Sequence, residues 1–463
     1  IDPVEINRYL TYLWTPGEGT PSKLFKKLPP GEYLLIKNGF IEKRKKWYFL
    51  PAYDINVKKL NKIDSIKGTY QHLKKAVHRQ LVSDVPIGAF LSGGLDSSSI
   101  VYLASQKIEK LNCFTIQINS SFEYGFNDDL PYAKKVASHL NLPLNIIEVE
   151  PSTLTSSIEE MVWQLDEPLA DFAPLNVLLI SKLARRKGMK VLLSGVGGDD
   201  LFTGYRRHLS LKYEKAWSWL PKNIRESLEN ISNKFPVEQA FLRRLRKTFS
   251  GASLDPDQRI TNYFKWIDSK NLQNLYTDKF KFKLANSKAE QPFLNLLEEL
   301  PKDLSSIEKI LTIEQRFFLA DHNLTYTDKM SMQQGVEVRV PFLDHELIEF
   351  ARKVPDKYKC RGLESKWVLK KAMEPFLPNE VINRPKTGFG APIRQWLRFD
   401  LYEWLNDILS EEKLQKRGIF KPLAIKQLIE KNRLGTLDAS YTLLSIACIE
   451  IWCKRFIDLE KYC

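Results

Sequence analysis

Short apolar runs alternate with segments of helical periodicity between about residues 57 and 208 of the chain. The runs that predict strands span residues 87–91, 113–118, 144–150 and 190–195. The segments that predict helices span residues 65–81, 97–104 and 130–140, with two further helices on either side of DEPLADFAP at 166–174. Near-continuous apolar strands that alternate with helices are typical of a sheet covered on both faces. The pattern therefore predicts an α/β fold with a doubly wound parallel sheet.

The flanking segments follow other patterns. Residues 31–51 (GEYLLIKNGFIEKRKKWYFLP) alternate about an Asn-Gly pair, which predicts a β-hairpin. Because two strands do not form a stable sheet by themselves and the chain starts at Ile1 rather than Met, we interpret residues 1–56 as the remnant of a larger β domain. The remaining segments predict helices, at residues 209–300, 306–334 and 396–462. In the second of these, the apolar spacing predicts a buried face made of Ile313, Phe317, Ala320 and Leu324.

Composition excludes several classes of protein. The 463 residues are 43% apolar and 11% aromatic, which is typical of a globular protein. No apolar run approaches the roughly 18 residues of a membrane-spanning helix, and no charged-then-apolar leader opens the sequence, so we expect a cytoplasmic protein with no membrane partner. The five cysteines have no paired spacing, which argues against a zinc site or a disulfide framework.

The net charge of +14 is spread over basic clusters at residues 43–46, 185–187 and 243–247. Such clusters can bind nucleic acid, but these are scattered and are not interleaved with aromatic residues. We therefore interpret them as a generally basic surface and expect no nucleic-acid partner. A site for anionic substrates would use part of this charge.

The glycine loop within residues 85–105 (VPIGAFLSGGLDSSSIVYLAS) carries the strongest chemical signal. A strand that ends in a glycine turn opening a helix directs free backbone N–H groups and the positive end of the helix dipole to one point, which favours an anion. The glycine pair is not followed by the Gly-Lys-Ser/Thr of a P-loop, and no third glycine completes a dinucleotide-type turn. The loop therefore predicts a phosphate site of another kind, with hydroxyl donors from Ser92, Ser97 and Ser98.

A second loop, LLSGVGGDD at residues 192–200, brings Asp199 and Asp200 directly after another glycine turn. In a parallel sheet the two loops meet at one crevice if their strands are neighbours. Because Asp96 of the first loop would repel a phosphate directly, carboxylates from both loops favour a Mg²⁺ ion that bridges phosphate groups. The alternative is two tight turns with solvated aspartates.

Ordered motifs narrow the family. Five of them follow LSGGLDSS along the chain: LDEPLADFAPLN, LLSGVGGDDLFTGYRRH, TDKMSMQQGVEVRVPFLDHELIEFA, ESKWVLKKA and RPKTGFGAPIRQWL. The first loop resembles the pyrophosphate loop of the N-type ATP pyrophosphatases, and the ordered set resembles the synthetase domain of glutamine-hydrolysing asparagine synthetases. Residues 1–56 are similar to the end of that family's glutaminase domain. Residues 57–463 are similar to its ATP pyrophosphatase domain, of the adenine-nucleotide α-hydrolase type.

The resemblance implies an ATP-dependent amidation of aspartate through β-aspartyl-AMP, with ammonia or glutamine as the nitrogen source, ATP and Mg²⁺ as cofactors, and a homodimer as the family's habit. It implies that Asp96 and Asp199 hold the metal and that Lys366 and Lys386 are catalytic, with Lys386 stabilising the transition state. It also implies these ATP-binding residues: Leu91, Ser92, Gly93, Gly94, Leu95, Asp96, Ser97, Ile116, Ser194 and Gly195.

Other matched positions have a structural alternative beside the functional one. Four are candidate substrate contacts: Asp166, Glu167, Glu337 and Arg339. The first two and Asp171 resemble a segment beside the acceptor pocket, although Pro168 ending a helix explains that segment as well. Glu337 and Arg339 are equally well explained by an internal salt bridge. Ile116 is also explained by a place in the apolar core. We interpret Asp344, Met330 and Met332 as packing residues.

Three positions depart from the family pattern. Val196 stands where many asparagine-forming members carry an acidic residue associated with formation of the acyl-adenylate, which leaves the acceptor open. Asp200 stands where glutamate is usual. The family's glutaminase nucleophile is an N-terminal cysteine, which Ile1 cannot replace, so we expect this chain to use ammonia rather than glutamine.

Three alternatives stay open at this point. An amidotransferase of the same family that acts on another carboxylate, of a sugar or a secondary metabolite, is favoured by Val196. A tRNA-modifying pyrophosphate-loop enzyme would use the basic clusters, but it normally carries catalytic or zinc-binding cysteines that are missing here. A nucleotide-binding module without catalysis is disfavoured because Asp96, Asp199, Lys366 and Lys386 are all retained.

Overall fold

A computed structural model describes residues 1–118, 129–149, 154–235, 240–285, 287–385 and 393–459. The strands in these residues are β1 (Glu32–Lys37), β2 (Phe40–Lys46), β3 (Ile87–Phe90), β4 (Asn112–Ile118), β5 (Leu144–Val149), β6 (Val191–Leu193) and β7 (Glu337–Arg339). The helices up to residue 249 are α1 (Pro3–Tyr12), α2 (Lys62–Gln80), α3 (Leu95–Ser105), α4 (Leu130–His139), α5 (Leu154–Leu165), α6 (Ala173–Arg186), α7 (Gly198–Phe202), α8 (Arg206–Tyr213), α9 (Lys222–Ser232) and α10 (Ala240–Phe249).

Helices also dominate the rest of the chain. They are α11 (Pro256–Asn262), α12 (Ser269–Leu275), α13 (Asp278–Leu284), α14 (Gln291–Glu299), α15 (Ser306–Ile313), α16 (Thr325–Met332), α17 (His345–Lys353), α18 (Asp356–Lys359), α19 (Trp367–Met373), α20 (Asn379–Ile382), α21 (Ile393–Arg398), α22 (Tyr402–Ile408), α23 (Glu411–Arg417), α24 (Pro422–Arg433) and α25 (Ser440–Phe456). None of the described helices combines the length and the apolarity needed to cross a bilayer.

Five strands form one parallel sheet in the order β5-β4-β3-β6-β7. The predicted α/β fold with a parallel sheet is therefore confirmed. Strand β7, a three-residue edge strand of mixed polarity, was not among the predicted strands. Because β3 and β6 are direct neighbours, the loops that follow them leave the same edge of the sheet side by side.

Two buried apolar clusters cover the two faces of this sheet, and β6 shows why its sequence is apolar throughout. Val191 and Leu193 belong to the cluster that also holds residues of α2, α3 and α19. Leu192, which points to the opposite face, belongs to the larger cluster with Phe114 and residues of α6 and α25. A strand buried on both faces has no position for a solvated side chain.

The N-terminal segment has two parts with different surroundings. Strands β1 and β2 pair antiparallel about Asn38 and Gly39, whose φ angles of 50° and 81° are those of a tight hairpin turn, so the predicted hairpin is confirmed. The hairpin forms a sheet of its own, and its residues Ile36 and Phe40 are 60% and 78% exposed. Helix α1 instead packs into the larger cluster, where Tyr9 is fully buried.

The predicted helix at residues 306–334 is continuous through α15, a π-helical segment at Glu314–Leu324, and α16. Phe317 is buried as predicted, but Ala320 and Leu324 are only half-buried. The wider π turn rotates the face that α-helical spacing predicts, so that His322 is buried in their place.

The packing interpretation of three further residues holds in part. Met330 is fully buried, and the Asp344 carboxylate caps α17 by accepting hydrogen bonds from the backbone of Glu346 and Leu347. Met332 is 51% exposed, so the interpretation is wrong for that residue.

Candidate active site

The first loop joins the end of β3 to the start of α3. The hydroxyls of Ser92 and Ser97 lie 3.0 Å apart, and the Gly94 N–H donates to Ser92 Oγ over 3.4 Å. Gly93 has a φ of 68°, and a methyl group there would lie 2.5 Å from Tyr132 Cβ, so glycine is required on both counts. Two hydroxyls and the N–H groups of the first turn of α3 therefore converge at one point.

The second loop, between β6 and α7, lies against the first. A methyl group on Gly195 would lie 2.7 Å from the backbone nitrogen of Ser97 and 3.1 Å from Asp96 Cβ. Gly197 has a φ of 97°, and the turn that it makes places Asp199 in the first turn of α7. The predicted meeting of the two loops at one crevice is confirmed.

Lys366 joins the two loops. Its ε-ammonium contacts Asp96 Oδ2 and Asp199 Oδ1 at once, although the lysine and Asp96 are 270 residues apart in the chain. The lysine side chain is 8% exposed. Burial opposes its charge, but the carboxylates of Asp199 and Asp96 outweigh burial and raise the pKa of Lys366 above its usual value.

Two glycines enclose this triad. A methyl group on Gly198 would lie 2.6 Å from Asp96 Cγ. A methyl group on Gly204 would lie 2.6 Å from Asp199 Cγ and would overlap both the Asp199 carboxylate and Lys366 Cε. The backbone at Gly198 and Gly204 therefore lies so close to the charged groups that there is no space for a side chain at either position.

The donor set fits a hard divalent cation. Carboxylate oxygens from two loops already contact a single cation, the Lys366 ammonium, and such oxygens are the ligands that Mg²⁺ prefers. Within the described part of the chain, no group of three or more His, Cys, Asp or Glu side chains is arranged to hold a metal. A metal here would therefore share its coordination between two carboxylates and a ligand such as a phosphate.

Arg384 is a functional candidate that the sequence analysis missed. It is almost buried, donates to the Ser92 carbonyl over 2.8 Å, pairs with Asp129, and lies 4.3 Å over the Tyr132 ring. It thereby fastens the first loop to the start of α4. Its place two residues before Lys386, in the quoted RPKTGFG motif, was the available signal. Lys386 itself lies outside the described residues.

The residues expected at the adenine end lie along the same sheet edge. Leu91 is buried and its N–H donates to the Phe114 carbonyl over 2.9 Å. Ser194 is buried, and its N–H donates to the Arg339 carbonyl over 2.8 Å. Ile116 is 6% exposed in β4 and belongs to the larger apolar cluster.

Asp166 and Glu167 lie beside lysines. Asp166 has a φ of 52° and accepts from Lys329 Nζ over 2.6 Å. Glu167 lies 3.5 Å from Lys27 Nζ, and burial raises the pKa of its carboxyl. These contacts connect the segment to α16 and to the N-terminal residues.

Glu337 and Arg339 form the salt bridge that was the structural alternative for them. Arg339 Nε donates to Glu337 Oε1 over 2.9 Å, and Nη1 of the same arginine donates to the carbonyls of Gln80 and Val82. The pair thus fastens β7 to the end of α2.

A buried polar chain runs from Asp171 to Asp200, and the sequence analysis did not single out its central members. His322 Nε2 lies 3.3 Å from Asp171 Oδ2, and its Nδ1 lies 2.8 Å from Asn323 Oδ1. The Tyr205 hydroxyl accepts from Asn323 over 3.4 Å and donates to Asp200 over 3.4 Å. Burial raises the pKa of the Asp171 carboxyl, but the adjacent His322 and backbone hydrogen bonds together lower it by more, so the pKa lies below its usual value. Asp200, one of the departures from the family pattern, is thus buried against a tyrosine.

Comparisons with known proteins agree with this arrangement. The profile of the asparagine synthase family matches residues 68–454. The chain is 29% identical to the glutamine-hydrolyzing asparagine synthetase 1 of Bacillus subtilis strain 168, over 100% of this chain and 70% of that protein. It is 26% identical to asparagine synthetase 3 of the same organism, over 96% of this chain and 69% of that protein.

A relative with a different name also aligns. The chain is 24% identical to the amidase chyE of Penicillium rubens, over 90% of this chain and 66% of that protein. The family profile nonetheless covers more than half of the residues and includes both loops and Lys366. This chain belongs to the asparagine synthase family of ATP-dependent carbon–nitrogen ligases.

Proposed function

We propose that this chain forms asparagine by adenylating the side-chain carboxylate of aspartate with ATP and releasing AMP and pyrophosphate. The observation that carries the proposal is the convergence of Asp96, Asp199 and Lys366 at the start of α3. A reaction that expels pyrophosphate needs cations and N–H donors in place before the bond breaks, and this is where the chain gathers them.

Two steps account for the products. A carboxylate oxygen of aspartate attacks the α-phosphorus, the bond to the bridging oxygen breaks, and pyrophosphate leaves with the electron pair. Ammonia then attacks the acyl carbon of β-aspartyl-AMP, and AMP leaves with the former carboxylate oxygen. The nitrogen loses one proton as the amide forms.

The first loop would cradle the leaving pyrophosphate. The Ser92 and Ser97 hydroxyls lie 3.0 Å apart at the start of α3, where the N–H groups of the first turn and the helix dipole favour an anion. Gly93 and Gly94 permit the close approach, and Leu95 begins the helix. Arg384 would keep this loop in position through the Ser92 carbonyl.

Asp96 and Asp199 would hold Mg²⁺. When bound, the ion supplies charge neutralisation to the phosphates that the two carboxylates alone would repel. Lys366 would contact the phosphates, and Lys386 would stabilise the charge that develops as the α-phosphorus is attacked. At the adenine end we propose contacts from Leu91, Ile116, and the backbone of Ser194 and Gly195.

The acceptor side is the part of the proposal with a competing candidate. Asp166 and Glu167 would lie beside the acceptor, whereas Glu337 and Arg339 would shape the crevice through their salt bridge. Val196 and the amidase relative favour a second candidate, the amidation of a different carboxylate by the same chemistry. Aspartate is preferred because two relatives are named asparagine synthetases.

We further propose that residues 1–56 are the end of a glutaminase domain and that residues 57–463 are the synthetase domain. The exposed apolar side chains of the hairpin support this, because a strand pair with that surface needs a partner sheet. We propose ammonia as the nitrogen source of residues 1–463, since the described cysteines are all buried. The homodimer, the cytoplasmic location and the lack of a nucleic-acid partner stay predictions from the sequence.

Product analysis tests the proposal. The purified chain is given ATP, Mg²⁺, ammonium and L-aspartate, and the products are separated by anion-exchange chromatography. We expect AMP, pyrophosphate and asparagine in equal amounts, with no gain in rate when glutamine replaces ammonium. AMP formation that requires another carboxylate would select the second candidate, and ADP with phosphate would refute adenylation.

A further inference from the structure

The Lys366 ammonium occupies the position between the two carboxylates that are proposed to hold Mg²⁺. Its Nζ contacts Asp96 on one side and Asp199 on the other. The lysine therefore does more than lie near the phosphate site, because it satisfies the same two oxygens that a divalent cation would need.

Protein atoms enclose these groups closely. The Lys366 side chain is 8% exposed, and both carboxylates are largely buried. The backbone at Gly198 and Gly204 closes the site so tightly that a single methyl group on either would overlap or crowd it. A divalent ion and an ammonium within a few ångströms would also repel strongly in a largely buried site.

The Lys366 side chain can nevertheless exchange its carboxylate partners for others without a change in the backbone. It stands before the first residue of α19 with a φ of 54°, and the next residues, Trp367 and Val368, are buried and fix the backbone. Its long side chain can therefore change direction without any movement of the helix. One ammonium against two carboxylates also leaves a net negative charge, which attracts a cation of higher charge.

We propose that Lys366 is the resident cation of the ATP-free enzyme and that it is exchanged for the divalent metal when ATP arrives. This inference rests on the proposed function, because it takes ATP as the substrate. Asp96 and Asp199 would be freed for the metal only when the nucleotide arrives, and the displaced Lys366 ammonium would turn to the phosphates, which offer it new oxygen partners. Each buried charge would then have a partner of opposite charge before and after the exchange, because the carboxylates would contact the metal and the lysine would contact the phosphates.

The alternative is a permanent structural ion pair, with the metal held elsewhere. The two accounts differ in how the lysine affects metal binding. If Lys366 is exchanged, its removal frees the carboxylates for a metal even without ATP. If the pair is permanent and the metal is held elsewhere, Asp96→Asn leaves metal binding in the presence of nucleotide unchanged.

Mn²⁺ binding distinguishes the two accounts without any turnover. Free Mn²⁺ is followed by its electron paramagnetic resonance signal as the ion is titrated into the full chain without nucleotide. We expect weak binding to the parent chain and about tenfold tighter binding to Lys366→Met. Lys370→Met, one turn further along α19 and paired with Glu364, is the matched control and should bind Mn²⁺ as the parent does. Adding Asp96→Asn to Lys366→Met should abolish the gain.

A second measurement on the parent chain decides the matter if Lys366→Met does not fold, which circular dichroism would reveal. The α,β-methylene analogue of ATP cannot release pyrophosphate, so it reports binding alone. We expect it to tighten Mn²⁺ binding to the protein by about tenfold or more beyond the binding of Mn²⁺ to the analogue itself. Equal Mn²⁺ affinity with and without the analogue, or no gain in Lys366→Met, would overturn the exchange. Because no reaction is involved, the metal result stands apart from the product analysis that tests the proposed function.

Discussion

Gly204→Ala should inactivate the enzyme by displacing one carboxylate. The added methyl group would lie 2.6 Å from Asp199 Cγ and would overlap the Asp199 carboxylate and Lys366 Cε. The φ of Gly204 lies outside the left-handed region, so alanine suits the backbone and the perturbation is confined to the site. The Gly204 N–H, which donates to the Asp199 carbonyl over 3.0 Å, can stay in place.

The size of the effect follows from the overlap. Ordinary contact with a methyl carbon begins near 3.4 Å, so the Asp199 carboxylate has to retreat by roughly 1 Å or more. Overpacking of this kind typically costs about 1–3 kcal/mol of stability. A displacement of about 1 Å in a catalytic constellation can cost on the order of 100-fold in rate, so we expect AMP formation to fall by about that factor.

The assay compares this variant with a matched one. Gly68→Ala inserts the same methyl group against the ring of Phe350, within α2 and away from the two loops. Both variants are compared by thermal melting and by AMP formation at a temperature where both are folded. We expect comparable losses of melting temperature, partly offset in Gly68→Ala by the better helix propensity of alanine, and a loss of rate in Gly204→Ala alone.

Two results would show that the added methyl group does not act through Asp199. Parent-like AMP formation by Gly204→Ala would mean that Asp199 does not hold a catalytic position. An equal loss of rate in Gly68→Ala would mean that the loss reflects instability and not the site.

Three further predictions concern other parts of the chain. Arg384→Met should lower kcat/KM for ATP by about 10- to 100-fold, because the first loop loses the arginine that holds the Ser92 carbonyl. Arg79→Met, which removes a surface ion pair, should leave kcat/KM unchanged, and the rate of pyrophosphate release measures kcat/KM for both variants. Burial lowers the pKa of Lys359 from 10.5 to about 8, so the unfolded chain binds more protons between these values and the lysine destabilises the fold most below pH 8. Lys359→Met should therefore raise the free energy of unfolding at pH 7 by about 2 kcal/mol, and thermal melting should show a smaller gain at pH 9.5. An equal gain in melting temperature at the two pH values would contradict this. Burial raises the pKa of the Cys113, Cys448 and Cys453 thiols to about 12. Peptide mass spectrometry should therefore find these thiols unmodified by iodoacetamide at pH 8 in the native chain and modified in urea. Rapid labelling of the native chain would contradict this.

Much of the sheet and both loops could be predicted from the sequence because their signals are local. The β6 run is apolar at every position because both faces of the strand are buried, and Gly93 and Gly197 mark turns that only glycine makes readily. The hairpin follows from an Asn-Gly pair between alternating strands. Each of these signals lies within about ten residues of chain.

The features that could not be predicted depend on packing between distant segments. The edge strand β7 is three residues long and carries two charges, so no periodicity marks it. The π-helical segment changes which residues are buried, so α-helical spacing gave Ala320 and Leu324 where the structure buries His322. The contact between Lys366 and Asp96 joins residues 270 positions apart, and the sequence offered it only through family resemblance.

In the proposed reaction a carboxylate oxygen of the acceptor attacks the α-phosphorus of ATP, and transfer of an ¹⁸O label from acceptor to nucleotide shows whether it does. The chain is given ATP, Mg²⁺, ammonium and L-aspartate labelled with ¹⁸O in its side-chain carboxylate, and the nucleotide product is examined by mass spectrometry. We expect AMP that carries one ¹⁸O atom for each asparagine formed. Unlabelled AMP, or label recovered in inorganic phosphate beside ADP, would contradict it.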